Sequence, residues 1–215
     1  MSPQARSKGS RPWYKKSVVK SRPRMSFEEY CQIEAQSPVK HEFQGGLVWA
    51  MAGGSREHAA IAANLLGLLG AQLRGSPCQP HTSDLRIRVA ATGLTTYPDV
   101  SVICGRAELD PEDRFGHTVL NPRVLFEVLS PSTEEYDRTE KLAHYQRIES
   151  LREVVLVAQT ARRIEIWRRS KSGDWGKDEH LSGAAVLASI DVTLPFDDVY
   201  RDPLAEENRA ERTAD

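Results

Sequence analysis

Polar and apolar positions alternate along the chain in a way that predicts a specific order of elements. Ser26 and Glu29 form a capping-box pattern, with Phe27, Tyr30 and Ile33 following on one side, which predicts a short helix over 26–36. Residues 40–43 and 47–51, separated by Gln44-Gly45-Gly46, read as a β-hairpin. Ser55 can cap a helix running to Arg74, with Ile61, Leu65, Leu68, Leu69 and Leu73 as its buried stripe. Over 83–89, Asp84, Arg86 and Arg88 alternate with Leu85, Ile87 and Val89, the pattern of a half-buried strand. A turn over 91–96 leads to a strand at 97–103, and a polar loop over 105–121 leads to another at 123–129. A helix is expected from the Ser130-Pro131-Ser132-Thr133 break to about 149. Strands at 153–158 and 163–168 and smaller elements to 200 complete the order. An antiparallel meander feeding a crossover helix predicts an α/β fold, a mixed sheet flanked by helices on both faces.

Two of these strands carry an unusual burden. Tyr97-Pro98-Asp99-Val100-Ser101-Val102-Ile103 and Val124-Leu125-Phe126-Glu127-Val128-Leu129-Ser130 are apolar runs with one carboxylate each. A carboxylate in a buried strand is costly unless its charge is compensated. A salt bridge would serve for either alone. Two on strands expected to pair suggest one shared compensator, for which a divalent cation with oxygen ligands is the natural candidate. Asp137-Arg138-Thr139-Glu140 resembles a second capping box, which would put Lys141 in the first turn of its helix, against the helix dipole. Lys141, Tyr145 and Ile148 share a face that could pack back toward the strand ends. Asp137, at i−4, is the alternative partner for Lys141. His58, near the start of the second helix, shares a face with Ile61 and Leu65.

The 215 residues, 40% hydrophobic and 27% charged, suit one domain with a sizeable core. Net charge is −1, but residues 1–24 hold eight basic and no acidic side chains. That segment is expected to be a disordered basic extension, either an arm that touches phosphates or an inert appendage. The domain is expected over 25–200, with a polar tail over 201–215. The three cysteines form no C-x-x-C pair, which argues against a zinc site or disulfide framework and fits a reducing, cytoplasmic setting. No segment reads as membrane-spanning or as a secretory signal.

These segments together resemble the PD-(D/E)XK nuclease superfamily, with its restriction-endonuclease-like αβββαβ core. More narrowly, they resemble the Uma family of bacterial restriction-endonuclease-like proteins. The resemblance covers roughly residues 26–200. Its most specific part is Glu127-Val128-Leu129-Ser130-Pro131-Ser132-Thr133 followed by Asp137-Arg138-Thr139-Glu140-Lys141. Also matching are Ser83-Asp84-Leu85-Arg86 and Tyr97-Pro98-Asp99-Val100. The resemblance implies a DNA endonuclease in which Asp99, Glu127 and the Val128 carbonyl hold Mg2+, with Mn2+ as a substitute. The superfamily places a lysine two residues after the glutamate, but here that position is Leu129. The resemblance implies that Lys141 takes its place. It further implies that Glu42, His58 and Asp84 stand at the site rim. In such an enzyme His58 is a candidate to relay a proton or hold a ligand in place, and a homodimer is expected because cutting a duplex takes two cuts. Arg86, Arg88 and Arg138 are candidates for phosphate contacts. The missing Glu-x-Lys lysine and the overall acidity leave open a catalytically inactive module that binds nucleic acid or a protein, and RNA remains an alternative substrate.

Overall fold

The computed structural model describes residues 24–51 and 53–202. The basic extension and polar tail expected at the termini lie almost wholly outside the described residues.

Helix α1 (Phe27–Glu34) begins with the capping box: the Ser26 side chain accepts from Glu29 N, and the Glu29 carboxylate accepts from Ser26 N at 2.7 Å. It lays Phe27, Tyr30 and Cys31 against Phe43. Strands β1 (His41–Gln44) and β2 (Leu47–Ala50) form the expected hairpin. Its turn needs two left-handed residues, which Gly45 and Gly46 supply at φ 56° and 84°. Helix α2 (Arg56–Gln72) is capped by Ser55 and buries Ile61, Leu65 and Leu69. It is followed by β3 (Cys78–Thr82), β4 (Arg86–Val89), β5 (Leu94–Thr96), β6 (Val100–Cys104), β7 (Thr118–Val119) and β8 (Pro122–Leu129). The crossover from β8 is α3 (Glu134–Tyr136), a π-helical segment (Asp137–Lys141) and α4 (Leu142–Tyr145). Strands β9 (Glu153–Ala158), β10 (Ile164–Arg169), β11 (Trp175–His180), β12 (Ala184–Leu187) and β13 (Val192–Pro195) and helix α5 (Phe196–Val199) complete the order.

The main sheet runs β11-β10-β9-β8-β6-β3, with β8 and β9 parallel across the crossover and the other pairs antiparallel. Helix α2, β3, β6, β8, the crossover helix and β9 are thus the αβββαβ core. A second sheet, β2-β1-β5-β4-β7, carries the early hairpin. One face of the main sheet (Val100, Phe126, Val155) packs on α2 and the β12–β13 hairpin. The other face (Leu125, Leu129, Leu156) packs on Leu142, Tyr145 and strand β4.

The strand expected over 83–89 differs from expectation in two ways. It begins only at Arg86, and it belongs to the second sheet. The core strand in its place is β3, whose sequence Cys-Gln-Pro-His-Thr has no apolar alternation. It is tolerated because β3 is an edge strand, where a proline need not supply an N–H. Arg86 does not point to solvent: it is 2% exposed and bonded to Asp113 and Thr118.

The cysteine expectation is also corrected. Cys78 and Cys104 stand directly opposite each other on β3 and β6, Cα atoms 4.0 Å apart, and form a disulfide. An odd cysteine count forbids a full framework but not a single bridge, and Cys31 is the buried free thiol. The cysteines therefore give no argument for a reducing compartment. Protein unfolded without reductant is expected to release one thiol to Ellman's reagent, and three after reduction. Three without reductant would show that the bridge does not form. No helix among the described residues is long and apolar enough to cross a membrane.

Candidate active site at the end of strands β6 and β8

The register of β6 against β8 brings the two strand carboxylates together. Val100 pairs with Phe126 and Ser101 with Leu125. One further step of this antiparallel register sets Asp99 opposite Glu127, on the face that packs against the crossover helix. Asp99 sits just past the ladder's end, and its Oδ2 accepts the Val128 N–H at 2.7 Å. A side chain thus replaces the missing rung.

Lys141 is carried to this face by the crossover helix. Its Nζ lies 2.8 Å from Glu127 Oε1, 3.6 Å from Glu42 Oε1 and 3.5 Å from Asp137 Oδ1, and the residue is 4% exposed. It is not in a first helical turn. The helix starts at Glu134, and Lys141 closes the π segment, so the expected dipole penalty does not arise. π-Helical segments often accompany functional sites. One turn on, the buried Tyr145 hydroxyl donates to Glu127 Oε1 at 2.5 Å. Glu42, on β1, is held from the other side. Trp49 Nε1 donates to its Oε2 at 2.7 Å, the Thr96 hydroxyl to its Oε1, and the Tyr136 hydroxyl reaches Oε2 at 3.5 Å.

His58, in the first turn of α2, reaches the same point from the opposite face of the sheet. Its Nε2 is 3.2 Å from Asp99 Oδ2. The hydrogen bond to Asp99 raises the imidazole's pKa against the opposing effect of burial, and the backbone of Val128 adds to the rise.

Charge in this pocket is unbalanced. Burial pushes the Glu127 carboxyl well above the usual carboxylate range, and Asp137 and Asp99 add to this, although Lys141 opposes it. Burial likewise raises Asp137. Burial disfavours the Lys141 ammonium, but Glu127, Tyr145, Asp137 and Glu42 outweigh it and hold the lysine charged. Three carboxylates around one ammonium therefore carry more negative charge than it balances. A proton or a cation must supply the difference. The donors are hard oxygens, which suits a divalent ion of the magnesium class, and such an ion needs only one or two carboxylates besides waters. Among the described residues no three His, Cys, Asp and Glu side chains already converge as a metal cage. Within those limits the donor set fits the ion.

Asp99, Glu127, Val128, Lys141, His58 and Glu42 are thus brought together. Asp84 is not: its side chain is 80% exposed and paired with Lys40 at 2.6 Å. The three arginines considered for phosphate contacts are also committed elsewhere. Arg86 is bound to Asp113, Arg88 to Asp110, and Arg138 to Glu134 and Glu165. Asp137 and Tyr145 belong to the cluster but were not assigned to it from sequence. Their spacing from Lys141, four residues on either side, was the available signal, because it puts all three on one helical face.

Known proteins share this architecture. A crystal structure described as "a putative nuclease belonging to DUF820", from Anabaena variabilis, superposes with a TM-score of 0.61 at 14% identity, covering 79% of this chain and 96% of that one. At that identity the likeness shows the fold alone. The uncharacterized protein slr1290 of Synechocystis sp. is 38% identical over 181 residues, spanning 83% of this chain and 93% of the relative. The uncharacterized protein sll1609 of the same organism is 30% identical over 158 residues, spanning 74% and 88%. The Uma2 family model, described as "Putative restriction endonuclease", matches residues 27–195, and the chain belongs to that family.

Proposed function

We propose that the protein is a metal-dependent endonuclease that hydrolyses phosphodiester bonds in DNA, with Asp99, Glu127 and Lys141 as its catalytic residues. One observation carries this reading. Lys141 Nζ, delivered from the crossover helix, lies 2.8 Å from Glu127, which the strand register sets opposite Asp99. That geometry supports Lys141, from another element, as the counterpart of the lysine absent two residues after Glu127, at Leu129.

Asp99, Glu127 and the Val128 carbonyl would hold a Mg2+ or Mn2+ ion, directly or through water. When bound, such an ion polarises a phosphate oxygen and lowers the pKa of water. The Lys141 ammonium orients the attacking water and offsets the negative charge that builds on the phosphate as water adds and the ester P–O bond breaks. Tyr145 and Lys141 fix the Glu127 carboxylate through Oε1, while Glu42 and Asp137 hold the lysine in place. Two such centres in a homodimer would cut both strands of a duplex.

Nicking of supercoiled plasmid in Mg2+ or Mn2+ tests the reading. Wild type is expected to nick, and Asp99→Ala and Lys141→Ala to lose at least about 100-fold in rate. Equal cleavage by all three would assign it to a contaminant. One observation favours a second reading, a nuclease fold that binds nucleic acid without cutting it: Glu127 Oε1 is already taken by two donors. That reading predicts DNA binding without nicking in either metal.

A further inference from the structure

Lys40 stands where the two sheets meet beside the acids. It extends the β1–β2 ladder by one step, its carbonyl accepting from the Met51 N–H at 2.9 Å. Side chains two residues apart share a face of a strand, so Lys40 and Glu42 project to the same side of β1, about 7 Å apart along it. From there the lysine crosses to the main sheet. Its Nζ donates to the Ser83 carbonyl at 2.9 Å and to Ser83 Oγ at 3.2 Å, and lies 5.7 Å from the centre of the Tyr97 ring. Thr82 pairs with Val100 across β3 and β6. One further step of that register sets Ser83 opposite Asp99, just as the β6–β8 register sets Glu127 on its other side. Ser83, Asp99 and Glu127 thus form a row across strands spaced about 4.8 Å apart, and the Lys40 ammonium is tethered at the β3 end of it.

The tether leaves the charge available. Ser83 supplies two neutral acceptors, which fix the ammonium without cancelling its charge. Among the described residues its one ion-pair partner is Asp84, at 2.6 Å. The Asp84 side chain is 80% exposed and that of Lys40 37%. An ion pair so open to water contributes little to stability, and its carboxylate can be exchanged at small cost. A phosphate oxygen arriving at Nζ would take up a charge-assisted hydrogen bond in its place. The site has need of such a group. Its carboxylates outnumber the Lys141 ammonium and so repel a polyanion, while Arg86, Arg88 and Arg138 are bound to acids.

We infer that Lys40 binds a backbone phosphate of the nucleic-acid substrate, flanking the phosphate that reacts, and that Asp84 occupies this position in the free protein and competes with the substrate. The inference rests on the nucleic-acid reading above and deepens it, and it does not require cleavage. A lysine at such a place acts as a point charge that holds the strand without reading its bases.

Binding of a fluorescently labelled DNA duplex, followed by anisotropy in EDTA over a range of salt concentrations, tests this apart from metal and from cleavage. Lys40→Gln is expected to weaken binding about fivefold or more and to lower the slope of log K against log salt by about 0.9, the value for one phosphate contact. Asp84→Asn is expected to do the opposite, tightening binding about threefold or more, because it removes the competitor and leaves the ammonium on Ser83. In a Lys40→Gln background Asp84→Asn should change affinity by no more than about 1.5-fold. A lysine that only braces the rim through Asp84 predicts instead that neither single variant tightens binding. Unchanged affinity and slope in Lys40→Gln, or an Asp84→Asn gain that persists in the double variant, would overturn the inference and leave the nuclease reading standing. Wild type that binds no DNA in EDTA even at low salt would overturn it too, whatever its activity. Absence of nicking in both Mg2+ and Mn2+ would separately overturn the nuclease reading.

Discussion

Lys141→Met is expected to lose plasmid nicking and also to destabilise the fold by about 3–5 kcal/mol at neutral pH. The two losses have one cause. The ammonium is the shared partner of Glu127, Glu42 and Asp137, all nearly buried. A methionine fills its volume but leaves these carboxylates facing one another. They can recover only by taking up protons, and Glu127 and Asp137 already have raised pKa values with the lysine present. An acid whose pKa is raised on folding binds more protons in the folded state, so stability falls as pH rises from its unfolded value through its folded value. The deficit of the variant should therefore be small near pH 4 and grow toward pH 8. Urea denaturation at a series of pH values measures it. A deficit that does not change with pH would mean that Lys141 contributes packing and not charge compensation.

Breaking the Arg86–Asp113 pair is the second large effect. Arg86 donates to Thr118 Oγ1 at 2.7 Å and to Asp113 Oδ2 at 2.6 Å, and its guanidinium stacks near the Tyr30 ring. Asp113 also accepts from the Thr118 hydroxyl and from the Phe115 and His117 N–H groups. These contacts fasten the 105–117 loop to β4. Either Arg86→Met or Asp113→Leu strands an unpaired charge or donor in the core and should cost about 3–5 kcal/mol, whereas the double variant should lose less than either alone. Burial works to raise the Asp113 pKa, but Thr118, Arg86 and the Phe115 N–H together hold it below the usual value. A depressed carboxyl stabilises above its unfolded pKa, and that contribution is lost as pH falls through the folded value. The gap between wild type and Asp113→Asn should thus close in acid. Additive single-variant losses in the double variant would show that the two side chains are not coupled.

Elements defined by local chemistry were legible in the sequence. The Ser26–Glu29 box, the double-glycine hairpin and the apolar stripe of α2 each act within a few residues, and each appears where the pattern places it. Glu127 stood out for a similar reason, as a charge inside an apolar run. Partnerships across long stretches of chain were not legible. Arg86 alternates like an outward residue, and nothing near it announces Asp113 or the buried pocket that takes both. Strand β3 lacks strand-like alternation because it is an edge strand held by backbone pairing to β6 and by Cys104. The helix begins just after the Ser130–Thr133 break, as expected, but a capping-box look-alike at Asp137 suggests a first turn for Lys141 that it does not occupy. Asp137 was legible as a partner of Lys141, but its burial among Glu127 and Glu42 follows only once the helix docks on the sheet.

The central claim is that Asp99 and Glu127 share one divalent cation beside Lys141. Anomalous diffraction from crystals soaked in Mn2+ tests it most directly. The account predicts a single strong manganese peak at the end of β6 and β8, between the Asp99 carboxylate and the Val128 carbonyl, that vanishes in Asp99→Asn. No peak there, with Lys141 still seated on Glu127, would contradict it.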